Sequence, residues 1–141
     1  MKYFGFIKEH DDEKYADSIK RMIMEENTEN TYREDVLKYL KKGKLCVPFM
    51  GCVEDANNPK FNTDDYDDDD FIAYRAVLTD GEWLWPEYIV SYLEKYPTIK
   101  INQDFINHVL KNKDKEITLS QEEIMKIEND YYKFIGFIKE E

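Results

Sequence analysis

Cysteine is scarce: Cys46 and Cys52 are the only two in 141 residues, so no disulfide framework can staple this chain. Reduced thiols, and with them a cytoplasmic location, are the expectation. Histidine is scarcer than metal binding usually requires. A zinc site would need Cys46, Cys52, His10 and His108 together, and no CxxC or HxxxH spacing is present. There is no Gly-rich phosphate loop, no GxSxG and no HExxH. Neither metal nor cofactor is expected. Long apolar runs are also missing. Nothing approaches the ~18 residues of a membrane span, and Lys2 and Lys8 bracket an opening run too short for a secretory signal. Basic residues are outnumbered, 20 against 31 acidic, for a formal net charge of −11. Phosphate neutralisation needs a basic patch, so nucleic acid is a poor partner. Anionic membrane is disfavoured for the same reason. The natural complement is a basic protein.

Aromatics are plentiful, with eleven Tyr and eight Phe, so the chain can bury a core despite its charge. The length suits a single domain over 1–141. Residues 2–8 read as a short strand or tucked arm. Asp11 or Asp12 can cap a helix running to about Met24, with Tyr15, Ile19, Met22 and Ile23 on one stripe. Thr31 and Glu34 have capping-box spacing for a helix over about Tyr32–Lys42, and Gly43 is its stop. The run from Leu45 to Val53 reads as a strand interrupted by Pro48 and Gly51, hence an edge strand or one with a bulge. Phe71–Leu78 is nearly continuous in apolar residues, which predicts a strand covered on both faces. Asp80-Gly81 signals a hairpin to a returning strand at Glu82–Trp85, with Trp83 and Trp85 on one face. Helices follow over Pro86–Tyr96, from the Asn102 cap to about Lys111, and from the Ser120/Glu123 capping box onward. The fold class predicted is α+β: a short antiparallel sheet over about residues 45–85, packed by N- and C-terminal helices.

Between the two longer strands lies a long polar loop, 54–70, holding eight acidic residues and one Lys. Its core is the run Asp64, Asp65, Tyr66, Asp67, Asp68, Asp69 and Asp70. As a calcium loop it fails: Asp70 stands where glycine is needed and Ala76 where a bidentate Glu is needed. Adjacent carboxylates repel one another, and a cationic partner relieves that repulsion. These seven residues, with Trp83, are therefore the candidate partner-binding set. Tyr66 and Phe71 flank the run as possible anchors. The run is expected to be the least ordered part of the free chain. Asp80, Glu82 and Glu87 near Trp83 and Trp85 give an alternative, a small hydrolase. His108 reads as a surface or helix-end histidine. One echo stands apart: Gly5-Phe6-Ile7-Lys8-Glu9 recurs as Gly136-Phe137-Ile138-Lys139-Glu140, as if two arms played equivalent roles.

The segment Val77-Leu78-Thr79-Asp80-Gly81-Glu82-Trp83-Leu84-Trp85-Pro86-Glu87-Tyr88, together with Tyr92–Tyr96 and Phe105–His108, resembles small acidic bacterial proteins carrying a TDGxWxWPxY signature. Some of these look like immunity proteins of polymorphic or contact-dependent toxin systems. The resemblance spans Ile72 to His108 and carries over no catalytic residue. It implies a non-catalytic, immunity-type inhibitor that blocks a basic toxin through an acidic surface. A structural domain that self-associates, for instance as a homodimer, is a further alternative.

Overall fold

A computed structural model describes residues 1–23, 30–65 and 70–137. The elements, in chain order, are β1 (Lys2–Tyr3), α1 (Ile19–Met22), α2 (Arg33–Leu40), β2 (Lys44–Glu54), β3 (Phe71–Thr79), β4 (Trp83–Pro86), α3 (Tyr88–Lys95), α4 (Gln103–Asn112) and α5 (Gln121–Phe134). Four strands form one sheet in the order β1-β4-β3-β2, an α+β arrangement. Its β2–β3 and β3–β4 pairs are antiparallel as predicted. To this sheet over the predicted range β1 adds a further strand, parallel to β4, with Lys2 opposite Trp83 and Tyr3 opposite Leu84.

Pro48 and Gly51 explain the shape of β2. Proline cannot donate to a ladder, and β2 lies at the sheet's edge with register shifts on both sides of Pro48. Pro48 pairs with Ala76 and Cys52 with Tyr74, so Phe49, Met50 and Gly51 bulge opposite Arg75 alone.

The sheet separates two apolar layers. One face carries Trp83, Trp85, Leu78 and Ile72 against α2, α3 and α4, including Leu40, Ile89, Leu93 and Phe105. The other carries Leu84, Val77, Val47 and Cys46 against Phe6, Tyr15 and Tyr131 of α5. Both faces of β4 are thus covered. Trp83, Leu84, Trp85 and Pro86 are all buried, instead of alternating with the solvent.

The first helix is much shorter than its stripe predicts. Residues ahead of Ile19 are engaged elsewhere: Asp11 accepts from Tyr88 Oη (2.6 Å), and Asp17 bridges Ile7. Tyr15 stacks on Tyr3 in the second layer, while Ile19 and Met22 belong to the first. The stripe is therefore split between two cores. Glu9 takes over the capping role, its carboxylate accepting from Ile19 N at 3.0 Å. Met24, the predicted end of that helix, and most of the connector after it lie outside the described residues. Thr31 does not cap α2 either; Tyr32 holds that position without a side-chain bond, and Asn30 Oδ1 accepts from Tyr32 N at 2.8 Å. The Asn102 cap and the Ser120/Glu123 capping box form as predicted. Pro86 closes β4, and α3 starts at Tyr88.

The terminal echo is not a structural equivalence. Phe6 and Ile7 are buried, whereas Phe137 is exposed, and Ile138–Glu140 lie outside the described residues. Gly5 and Gly136 both adopt positive φ (77° and 78°). A Cβ on Gly5 would fall 2.5 Å from Ile89 Cγ1, whereas one on Gly136 meets nothing within 4 Å. Gly136→Ala should therefore cost only the left-handed penalty, about 1–2 kcal/mol. Gly5→Ala should add about 1–3 kcal/mol of overpacking. Urea denaturation of the two variants checks this, and equal losses would rule out the packing asymmetry.

Candidate functional site

The acidic segment has a built foot. Helix α3 presents Tyr88, Tyr92 and Tyr96 at four-residue spacing, so their hydroxyls emerge in a row. Tyr92 Oη accepts from Ala56 N at 2.8 Å and shares a 2.7 Å hydrogen bond with His10 Nε2. Tyr96 Oη donates to the buried carboxylate of Asp55, which also pairs with Lys95 Nζ at 2.5 Å and accepts from Asn57 N at 2.9 Å. Burial works to raise the Asp55 pKa. The bonds from Lys95, Tyr96 and Asn57 outweigh it, so the group is held below its usual range. Asp55 N donates to Asp70 O at 2.8 Å, and Asn58 Nδ2 donates to Asp70 Oδ1. The two ends of the segment are thus fastened to each other, and the Asp55 end is fastened to α3.

This changes the candidate set. Asp64 and Asp65 are exposed. Tyr66, Asp67, Asp68 and Asp69 lie outside the described residues. Asp70 is only 6% exposed, because its carboxylate serves the closure of the segment through Asn58. Trp83 is 4% exposed, packed on Phe105 and His108. Neither Asp70 nor Trp83 offers its side chain as contact surface.

Exposed aromatics lie instead at the outer end of β3. Phe71 is 46% and Tyr74 70% exposed, their rings 5.3 Å apart. The predicted cover on both faces of β3 holds for Ile72, Ala73 and Val77 but leaves these two residues exposed. They line an open groove of about 360 Å3 with Leu78, Val90, Glu87 and Lys41. Met50, 96% exposed, stands on the neighbouring bulge of β2. The sequence signal for Phe71 is its place flanking the acidic run. Tyr74 and Met50 carry none, since a continuous apolar strand looks buried until the helices over it are seen to end.

The predicted hydrolase acids separate. Asp80 and Glu82 line a pocket with Tyr39, His108 and Asn112, but Glu87 belongs to the β3 groove, and neither Trp83 nor Trp85 lines the pocket. His108 is no surface histidine: its Nε2 lies 2.5 Å from Asp80 Oδ2. Asp80 Oδ2 also accepts from Tyr39 Oη at 2.5 Å, and Oδ1 accepts from Glu82 N and Trp83 N at 2.9 and 2.8 Å. Burial works to raise the Asp80 pKa, and these four bonds together bring it below the usual value. Cys46 is buried and its thiol is pushed up to about 12, mainly by burial, which makes it unreactive. Among the described residues no group of three or more His, Cys, Asp and Glu gathers to hold a metal, and no helix is long and apolar enough to cross a membrane.

This chain was matched against protein-family models, curated proteins and solved structures. No match was found in any of the three.

His10 gives the foot a pH signature. Burial lowers its pKa from 6.5 to about 4, with Asp11, Glu9 and Asp55 opposing and Arg75 assisting. Below pH 6.5 the unfolded chain takes up a proton that the folded chain refuses, so stability should fall as pH drops from 6.5 to about 4. The lowered carboxylates Asp55 and Asp80 act in a separate window, below their ordinary 3.8. Denaturant midpoints measured across the upper window should slope in the wild type and flatten in His10→Gln. Parallel slopes would exclude His10 as the source.

Proposed function

We infer that this chain is a non-catalytic protein-binding domain of the immunity type, which blocks a basic protein through an acidic and aromatic surface. One observation carries the reading: exposed Phe71 and Tyr74 emerge beside a groove directly after the acidic segment, at a fastened foot. Binding sites combine an apolar anchor that excludes water with charges that select and steer the partner. Asp64 and Asp65, with the charge of the run after them, supply the steering. Phe71, Tyr74 and Met50 supply the area. The net charge of −11 sets the sign of the partner. For a nuclease toxin, such carboxylates would occupy the place of substrate phosphates. The resemblance at Val77–Tyr88 points the same way.

The experiment uses the purified chain as bait in lysate of its native host, followed by association kinetics with the retained protein. Replacing Asp64, Asp65, Asp67, Asp68 and Asp69 by Asn, with Asp70 left intact, should slow association and weaken its salt dependence. Screening contracts from about 10 Å at 0.1 M to about 3 Å at 1 M, so the wild-type rate should fall over that range. Tyr74→Ala should chiefly speed dissociation, with a loss of about 2 kcal/mol or more if the ring is a hot spot. A retained protein that is acidic, or that binds both variants like the wild type, would overturn the reading.

A further inference from the structure

We propose that the free edge of β1 is a docking slot for an acidic peptide in extended conformation, which adds there as a further strand of the sheet. The slot shares no residue with the groove at Phe71 and Tyr74 and is independent of the function proposed for that surface.

Strand β1 ends the sheet order, and its ladder uses only one of its sides. Lys2 N donates to Glu82 O at 3.1 Å and Phe4 N to Leu84 O at 2.9 Å. Successive residues of a strand turn their N–H and C=O groups to opposite sides, so those of Tyr3 face away from β4. Gly5 then limits how far this edge runs. Its φ of 77° turns the chain, after which Phe6 O accepts from Asp17 N at 3.1 Å and Lys8 N donates to Asp17 O at 2.8 Å. The Asp17 segment therefore covers the chain from Phe6 onward. Among the described residues no main chain pairs with the outer side of Tyr3. The space beside it is a built cleft: Tyr3 and Gly5 share the lining of an open cavity of about 290 Å3 with Met22 and Lys100. Those two are tied together in turn, since Lys100 N donates to Met22 O at 2.8 Å and Ile23 bridges Ile99. The volume is at the lower end of ligand sites, roughly 300–1,000 Å3, and suits a short extended segment.

A peptide that adds to a sheet edge draws its affinity from main-chain hydrogen bonds and its specificity from the side chains around the slot. Here those side chains are apolar and cationic. Tyr3 and Tyr15 both line the cleft, their rings stacked 4.3 Å apart. Arg21 and Lys100 bring positive charge to it, in a chain whose net charge is −11. Asp17 offsets part of that charge but is already held: its Oδ1 accepts from Ser18 N at 2.9 Å and lies 3.6 Å from Arg21 Nε. Lys100 Nζ has no partner among the described residues. A carboxylate on the incoming strand supplies one, as a charge-assisted hydrogen bond. The same charges exclude a second copy docked edge to edge, which would bring Arg21 and Lys100 near their own duplicates. The occupant is therefore a different chain, acidic where it enters the slot.

The probe is the synthetic peptide acetyl-Thr-Val-Glu-Val-Thr-amide, titrated into the full-length chain while backbone amide resonances are followed by NMR. The Tyr3 amide should move downfield and saturate, as its N–H gains an acceptor, while those of Phe71 and Tyr74 stay in place. Exchanging Glu for Gln in the peptide, or combining Arg21→Gln with Lys100→Gln in the protein, should weaken binding by about tenfold. Methylating both Val nitrogens and methylating the Glu nitrogen block opposite edges of the peptide. One of these changes should abolish binding and the other should spare it. A Tyr3 amide unmoved at millimolar peptide, a Gln peptide that binds as the Glu peptide does, or two methylated peptides that bind alike would overturn the proposal. So would a Tyr3 resonance that moves with protein concentration alone, the mark of a second copy. The peptide series leaves the protein unchanged, so it decides the question whether or not the Arg21/Lys100 variant folds.

Discussion

Asp80 occupies the corner between β3 and β4, and its carboxylate gathers four donors from three elements: two backbone N–H groups of the hairpin, Tyr39 of α2 and His108 of α4. A carboxylate whose side chain is 2% exposed must be fully paired or leave an uncompensated charge. The three elements therefore come together as a set. With the corner fixed, Trp83 and Leu84 stand where β1 can pair with them, and Phe4 N reaches Leu84 O at 2.9 Å. The tryptophans point to α2 and α4, while Leu84 points to α5. Closure of both layers thus depends on one short turn.

A second constraint runs along α3. Tyr88 Oη accepts from Ile7 N and donates to Asp11, Tyr92 reaches His10 and Ala56, and Tyr96 reaches Asp55. The N-terminal segment and the start of the acidic segment, far apart in sequence, are both fastened to one helix face. This gives the tyrosine-rich composition a physical reason. A phenol buries a ring and still delivers a hydrogen bond at its tip, so a polar segment can be tied down without an unpaired group. Because that tie ends at Asp70, Phe71 and Tyr74 emerge immediately beyond it.

Features governed by neighbours in sequence were legible. The Ser120 and Asn102 caps, the Asp80-Gly81 corner and the edge position of β2 each follow from a few adjacent residues. Features decided by distant partners were not. The apolar stripe from Tyr15 to Ile23 is real, but Tyr15 is drawn to Tyr131 and Tyr3 while Ile19 goes to the opposite layer, so a continuous helix loses to tertiary packing. Asp70 looks like the last member of a solvated run and is captured by Asn58. Trp83 looks like half of an alternating pair, yet a sheet covered on both sides removes the alternation. His108 meets Asp80 across 28 residues, a separation with no local signature.

The acidic residues consequently divide into two populations with opposite roles. Asp11, Asp55, Asp70 and Asp80 face hydroxyls, amides or cations and hold the fold together. Asp64 and Asp65 stand in solvent. Strand β3 connects the exposed Phe71 to the Asp80 corner. Its nine residues place the Phe71 end roughly 30 Å from the Thr79–Asp80 end, at about 3.3 Å per residue. That exceeds the screening length at physiological salt, about 8 Å, so charge at the acidic segment barely reaches His108 through solvent. The acidic segment and the Asp80 corner are therefore electrostatically independent parts of this chain.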